Sequence, residues 1–260
     1  MTLRLAAIAF GLGVIGMALP LFGADGPGGK GPKQSFEVTS TERVPFQPGG
    51  TIRLDHSYGY LSVEGWDEPE VEVTVTKSTN RFDEPKHKEK AEQRFTQIGV
   101  VTQRRSDQEV ATTTTLPARK GFFSTVLPLR RLVVIRSLPP SNERGVTVEY
   151  RVRVPRDSRL VVHHDNGYVW VSDVTGDIEV NSHTGDMIVM LPDPAPYSID
   201  ARTRLGRISS DFTGSANSSF LLGSHFAYAS QGPSRQVHIR MGRGSITIKK
   251  GPPSGPLWKN

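Results

Sequence analysis

The chain has no cysteine among its 260 residues, and this absence excludes several kinds of site at once. Without cysteine there can be no disulfide framework, thiolate nucleophile, cysteine metal site or acylated lipoprotein anchor. The sequence motifs of serine hydrolases, zinc proteases and P-loop nucleotide-binding proteins are missing as well. We therefore expect a protein that is not an enzyme, with no catalytic residue, no cofactor and no metal ion.

Hydrophobic residues are also sparse, at 36% of the chain, whereas the 26 glycines and 19 prolines are plentiful. Glycine and proline mark turns, so the chain is expected to change direction often. A fold of many short strands that each bury one face needs few apolar residues. A length of 260 residues is enough to give such a fold a sizeable core.

Acidic side chains are in deficit, and the net charge is +6 at pH 7. Arginines occur in scattered pairs: Arg104 and Arg105, Arg130 and Arg131, and Arg202 and Arg204. A basic balance favours anionic partners, although a solvated basic surface is the alternative. We expect the partner to be an anionic glycan, an envelope surface or a protein. Nucleic acid is not expected, because binding it would need a basic patch with aromatic stacking groups.

Residues 1–24 have the features of a secretory signal peptide. Arg4 precedes an uncharged apolar run, and the sequence Gly-Met-Ala at 16–18 offers a cleavage site with small residues. Ala24 is a second candidate for the cleavage site, although the bulky Phe22 lies two residues before it. The alternative is an uncleaved anchor that contacts the membrane, since about 20 apolar residues can span a bilayer. In either case the remainder is predicted to be exported to the periplasm, the cell surface or the extracellular space. Residues 25–35, rich in glycine, are predicted to be a flexible leader.

A nine-residue spacing of glycines is the most regular feature of the sequence. Gly167, Gly176 and Gly185 begin the segments GYVWVSDVT, GDIEVNSHT and GDMIVMLPD, and Gly50 and Gly59 begin similar ones. The apolar residues two and four positions after each glycine share one face of a strand. Each segment therefore predicts a strand of about five residues and a turn, where glycine accepts a positive φ.

The fold class predicted from this repeat is all-β. Two arrangements fit the spacing: a β-solenoid or β-roll, in which each segment stacks on the segment after next, and an antiparallel meander, in which it pairs with the next one. We expect a single domain over residues 36–250, followed by a disordered tail at 251–260.

Two parts of this domain depart from the repeat. A helix is predicted from about Glu84 to Ile98, with Ala91, Phe95 and Ile98 on its apolar side. A long irregular insertion is predicted at about 106–145, and its Thr112–Thr115 run indicates a loop. Phe122 and Phe123 within the insertion belong either to a buried strand or to a projecting apolar and basic loop that binds a membrane or a partner.

Two stretches of the sequence resemble a known family. They are GTIRLDHSYGYLSVEGWDEPEVEVTVTKS at 50–78 and VPRDSRLVVHHDNGYVWVSDVTGDIEVNSHTGDMIVMLP at 154–192. Both are similar to the bacterial "putative adhesin" domain family of unknown function, and the resemblance covers most of residues 36–250. It implies a right-handed β-solenoid or roll that is exported or anchored at the cell envelope. It implies no catalytic residues, and the insertion at 106–145 is a departure from the family.

The candidate site residues are few. Tyr168 and Trp170 alternate with the inward residues of their strand, so they are expected on the outer face, where an aromatic pair can bind carbohydrate, or else under a loop. His163, His164, Asp165 and His183 come closest to a metal set. However, His163 and His164 are adjacent and face opposite ways on a strand, and the repeat position of His183 suggests a packed turn.

These observations predict a non-catalytic exported protein of the cell envelope with an adhesin-like binding role or a structural scaffold role. Two alternatives remain open at this point. One is a solenoid enzyme that acts on polysaccharide, which a groove of clustered carboxylates and arginines on one sheet would favour. The other is an accessory or signalling protein tethered to the membrane by an uncleaved N-terminus.

Overall fold

The computed structural model describes residues 36–79, 85–106, 108–115, 146–193, 196–219 and 223–251. These ranges form mostly β-sheet with one short helix. None of the helical segments in the described ranges is long and apolar enough to cross a membrane. The predicted signal peptide, the leader, residues 116–145 of the insertion with Phe122 and Phe123, and the tail from 252 onward lie outside them.

The elements follow one another along the chain in this order: β1 (Phe36–Pro45), β2 (Thr51–Trp66), β3 (Glu70–Thr79), α1 (Pro85–Gln97), β4 (Gly99–Ser106), β5 (Glu109–Thr115), β6 (Thr147–Pro155), β7 (Arg159–Ser172), β8 (Ile178–Pro192), β9 (Tyr197–Leu205), β10 (Ile208–Ser210), β11 (Ser215–Ser219), β12 (Gly223–Ala229), β13 (Arg235–Arg243) and β14 (Ile246–Gly251). The strands belong to one 14-stranded sheet, whose main path is β1-β3-β6-β2-β7-β8-β13-β9-β12-β11.

The long strands β2, β7 and β8 lie side by side in parallel. Leu160 pairs with Ile178, and Val169 pairs with Met187, so each segment pairs with the segment after next. An antiparallel meander would instead pair each segment with its immediate neighbour along the chain. The parallel pairing continues from β8 to β13 and β14.

Each of these long strands contains two of the nine-residue segments, so the prediction of five-residue strands was wrong. The segments are joined through Gly59, Gly167 and Gly185, which have φ values of 120°, 137° and 137°. Glycine reaches such angles at little cost, and the three glycines remain register partners of one another. The pairing therefore continues through each glycine, where the spacing predicted that a strand would end.

The side chains that face the core change parity at the central glycine of each long strand. In β7, Leu160 and Val162 are buried before Gly167, and Val169 and Val171 are buried after it. Simple alternation would place these two pairs on opposite faces. Both pairs nevertheless belong to one hydrophobic cluster, so the glycine turns the second half of the strand over towards the same core.

The loop predicted at Thr112–Thr115 was also wrong, because these residues lie in β5. β5 runs parallel to β2 and antiparallel to β4. Threonine is β-branched and favours strands, and Val110 and Thr112 are fully buried on the inner side. The beginning of the predicted insertion is therefore part of the sheet.

Helix α1 agrees with the predicted helix to within one residue at each end. Phe95 and Ile98 are buried, and the ring of Phe95 stacks on that of Phe36 with centroids 5.5 Å apart. Nζ of Lys77 donates hydrogen bonds to the carbonyl oxygens of Phe95 at 2.9 Å and Ile98 at 2.6 Å. A lysine at this end of a helix satisfies free carbonyls and complements the helix dipole.

Candidate functional site

Three aromatic side chains, Tyr60, Tyr168 and Trp170, lie on the outer face of β2 and β7. Tyr60 and Tyr168 stack on each other, Trp170 lies two residues further along β7, and the three together are termed the aromatic stack. Tyr168 and Trp170 flank the buried Val169 and are themselves partly exposed, so their predicted outward orientation is confirmed. Tyr60 is the register partner of Tyr168, and their ring centroids are 5.2 Å apart with planes within 5°. Because each tyrosine covers one face of the other, a ligand can stack only on the remaining face of either ring.

Two shallow depressions adjoin the aromatic stack. One has a volume of about 220 Å³ and is lined by Tyr60, Ser62, Glu149 and Arg151. The other, of about 420 Å³, lies against both tyrosines and the Val146–Val148 stretch. Partial burial raises the pKa of Tyr168, with Tyr60 and Asp186 acting in the same direction, so its phenol stays neutral and can donate a hydrogen bond. A ring face beside a few polar groups is typical of small-ligand sites.

The charged side chains near the aromatic stack are paired with one another. Arg151 lies 3.2 Å from Glu149. Arg153 lies 3.3 Å from Glu72 and 3.7 Å from Glu64. This face therefore offers a ligand hydrogen bonds without a large excess of either charge.

A larger groove, with a volume of about 990 Å³, crosses β7, β8, β13, β9 and β12 near the glycine bends. Three arginines and four histidines line it: Arg202, Arg204, Arg240, His163, His164, His183 and His225. We term it the arginine–histidine groove. Its acidic lining residue within the described part of the chain is Asp165, so the groove is basic.

Asp200 fixes two of these arginines and one histidine. Its carboxylate accepts hydrogen bonds from Arg240 Nη2 at 2.6 Å, His225 Nε2 at 2.9 Å and Arg202 Nε at 3.3 Å. Partial burial alone would raise the pKa of Asp200, but the hydrogen bonds and charges of these partners outweigh it and hold the pKa below its ordinary value. The carboxylate is therefore ionised and orients the basic groups around it.

Arg204 lines the same groove but, across the described residues, has no carboxylate partner. Two buried side chains, Ser182 and His164, also line it. Oγ of Ser182 makes no hydrogen bond to any part of the chain that is described. Burial lowers the pKa of His164, so its ring is neutral, and its Nε2 donates to the carbonyl of Gly59 at 3.2 Å. The groove thus combines one unpaired cation with a buried hydroxyl.

The histidines and aspartate considered as a metal set do not converge. His163 is exposed, and its Nδ1 lies 3.0 Å from Asp55, whereas the adjacent His164 is buried. His183, predicted at a packed turn, is exposed because its neighbour Ser182 occupies the inward position. Over the described ranges, no three or more histidine, aspartate and glutamate side chains are placed to hold a metal ion.

The sequence identified the aromatic stack better than the groove. It singled out Tyr168 and Trp170, and only the strand register adds Tyr60 to them. The sequence also drew attention to the pair Arg202 and Arg204. However, the other residues that build the groove with them lie on β12 and β13, and no spacing in the sequence reveals that these strands flank β9.

Comparisons with known proteins give distant structural likenesses. No protein-family model matches the chain, and no curated protein matches it. The chain is similar to a "putative cell adhesion protein" from Clostridium sporogenes, with a TM-score of 0.44, 13% identity and coverage of 82% of this chain and 100% of that one. Similar too are a "putative adhesin" from Parabacteroides merdae (TM-score 0.27, 10% identity, coverage 81% and 80%) and one from Bacteroides fragilis (TM-score 0.29, 9% identity, coverage 81% and 96%). At such identities no residue's role is transferred.

Proposed function

We propose that the chain is a non-catalytic, exported protein of the cell envelope with an adhesin-like role, and that it binds an uncharged glycan at the aromatic stack. The observation that supports this most directly is the pair of stacked rings, Tyr60 and Tyr168, beside a depression lined by Ser62, Glu149 and Arg151. Pyranose rings present apolar C–H faces and a rim of hydroxyls. An aromatic face with adjacent hydrogen-bonding groups complements both.

The scaffold in this proposal is a β-solenoid or roll. The pairing of each segment with the segment after next, and the shared core of both halves of the long strands, support it. Such a scaffold holds side chains of neighbouring strands in fixed rows about 4.8 Å apart, which suits an extended ligand. The apolar N-terminal run after Arg4 supports the export that this proposal includes.

A glycan array tests the proposal. The full chain is applied beside the variants Tyr168→Leu and Trp170→Leu, which keep apolar bulk but remove the rings. Tyr228→Leu is the matched control, because Tyr228 is a half-buried aromatic residue that packs on Phe212 and does not belong to the aromatic stack. We expect binding by the full chain and Tyr228→Leu, and loss in the other two variants. If the full chain binds no glycan, or if all three variants bind equally, the glycan form of the proposal fails.

A polysaccharide-acting enzyme is the second candidate, and one observation favours it. The arginine–histidine groove gathers a carboxylate, arginines and a histidine on one sheet, and the ring of His225 is oriented by Asp200. A histidine held by a carboxylate can act as a general base. Incubation of polygalacturonate with the full chain and with His225→Gln distinguishes the two functions: shortening of the polymer by the full chain alone would establish the enzyme, whereas an unchanged polymer supports the non-catalytic role.

A further inference from the structure

We infer that the arginine–histidine groove is a second binding site, separate from the aromatic stack, and that its ligand is an acidic oligosaccharide bearing carboxylate or sulfate groups. Its volume of about 990 Å³ is at the upper end of the range of small-ligand sites and holds several sugar residues. The inference does not depend on the proposed glycan site, which lies on the other half of the long strands.

The distribution of charge in the groove selects an anion. Arg240 and Arg202 share Asp200, whereas Arg204 lines the groove with no carboxylate partner in the described part of the chain. An arginine without an internal partner can pair with a ligand carboxylate or sulfate through two parallel hydrogen bonds. Because Arg240 also donates to the carbonyl oxygens of Asp200 and Ile239, its guanidinium is held in place before any ligand binds.

The uncharged lining of the groove selects a hydroxyl-rich ligand. Ser182 is about nine-tenths buried, lines the groove, and its Oγ has no partner among the residues described. A buried hydroxyl without a partner is costly, and a sugar hydroxyl would remove that cost. Asn181 and Asn217 offer further amide donors and acceptors from β8 and β11.

The same lining disfavours the other polyanions. The described lining includes no phenylalanine, tyrosine or tryptophan, and single-stranded nucleic acid would need such rings for its bases. Its one large apolar lining residue is Met241, so an acidic peptide would find no pocket for apolar side chains. An acidic sugar chain needs neither feature.

Calorimetric titration of the full chain at low ionic strength tests the inference. The probes are an oligogalacturonate, a heparin-derived oligosaccharide, a neutral cello-oligosaccharide and inorganic sulfate. We expect one of the two acidic oligosaccharides to bind at least about tenfold more tightly than the neutral one and than sulfate. Comparison of the affinities for the oligogalacturonate and the heparin-derived oligosaccharide shows whether the groove prefers carboxylate or sulfate groups.

Matched variants locate the site. Arg204→Gln should weaken binding of the acidic oligosaccharide about tenfold, whereas Arg207→Gln should change it less than about twofold, because Arg207 is an exposed arginine outside the groove. Tyr168→Leu should leave this binding unchanged. Equal losses for Arg204→Gln and Arg207→Gln would show adsorption to net charge and overturn the inference, as would no binding of either acidic oligosaccharide. Loss with Tyr168→Leu alone would overturn it and leave the proposed glycan site standing.

Discussion

Gly167 lies opposite Gly59 on the neighbouring parallel strand, and the two backbones approach so closely that a β-carbon on Gly167 would overlap the carbonyl oxygen of Gly59. The same relation places Gly185 against Gly167, and Gly244 against Gly185. This row is termed the glycine ladder. It lies where β2, β7 and β8 turn their second halves towards the core and where the chain passes from β13 to β14. The glycine spacing of the sequence is therefore a packing requirement between strands as well as a conformational one.

The variant Gly167→Ala should destabilise the protein by about 3 kcal/mol or more. The new methyl group would overlap backbone atoms of β2, and alanine would also be held at a φ of 137°. Backbone atoms of a paired strand cannot move aside as the end of a side chain can. Urea denaturation followed by far-ultraviolet circular dichroism measures the change in the free energy of unfolding.

The matched control for this prediction is Gly232→Ala. Gly232 also has a positive φ, of 86°, but a β-carbon there would meet no atom within 4 Å. Its substitution should cost only the backbone strain, about 1 kcal/mol. Equal losses of stability in the two variants would mean that the close approach of the backbones in the glycine ladder does not contribute to the cost of substitution.

The inward residues of the long strands could be predicted from the sequence because they follow a strict local period. Val169, Val171, Val180 and Val189 are all buried, as their places two and four residues after each glycine require. The joining of two segments through one glycine could not be predicted, because the glycine that continues a pairing and the glycine that ends a strand look alike in a single sequence. Whether Gly167 continues the pairing or ends a strand depends on its contacts with Gly59, which is distant along the chain.

The same limit applies to the candidate sites. Alternation within one strand was enough to place Tyr168 and Trp170 outside. The arginine–histidine groove is built across strands instead: Asp200, His225 and Arg240 lie on β9, β12 and β13, and only the register unites them. A groove of this kind is a property of topology, which a nine-residue period does not determine.

Buried His56 should make stability depend on pH. Burial lowers the pKa of His56 to about 3, and nearby His164 acts in the same direction. The hydroxyl of Thr114 donates a hydrogen bond to Tyr150 Oη, so it must accept the one from His56 Nδ1 at 2.7 Å. A second proton on the His56 ring would therefore bind at Nε2, which has no hydrogen-bond partner within the described chain. The unfolded chain binds that proton below about pH 6.5, whereas the folded chain binds it only near pH 3.

Above about pH 7 the ring of His56 is neutral in both the folded and the unfolded state and does not change the free energy of unfolding. At pH 5 the proton bound only by the unfolded chain lowers the free energy of unfolding by about 2 kcal/mol. Thermal unfolding measured from pH 8 to pH 4 should show this loss in the unmodified protein. The variant His56→Gln, which can keep the hydrogen bond to Thr114, should have a flatter profile over the same window. Parallel profiles for the two proteins would contradict a role for His56 in the pH dependence.

The aspartates after the repeat glycines should contribute to stability by joining neighbouring strands. Asp186 Oδ1 accepts a hydrogen bond from the backbone N–H of Ser245 at 2.9 Å, and Asp177 Oδ1 accepts one from that of Gln236 at the same distance. We expect Asp186→Ala to lower the free energy of unfolding by about 1 to 2 kcal/mol, because the N–H at the start of β14 loses its acceptor. Asp157→Ala, which removes an exposed aspartate, should change it by less than about 0.5 kcal/mol. Equal effects of the two substitutions would argue against a specific role of the repeat aspartates.

Lys77 should hold helix α1 against the sheet. Its ammonium donates to the carbonyl oxygens of Phe95 and Ile98, and burial lowers its pKa. Lys77→Met keeps the aliphatic stem but removes the donor from both carbonyls. We therefore expect the free energy of unfolding to fall by about 1 to 2 kcal/mol, and the substitution to accelerate hydrogen exchange more in α1 than in β7. Lys249→Met, at an exposed position of β14, removes the same charge and should leave the exchange of α1 unchanged. Equal acceleration by both variants would point to the loss of charge and contradict a specific role of Lys77. If Lys77→Met does not accelerate exchange in α1, the helix is held by the packing of Phe95 on Phe36 and not by the lysine.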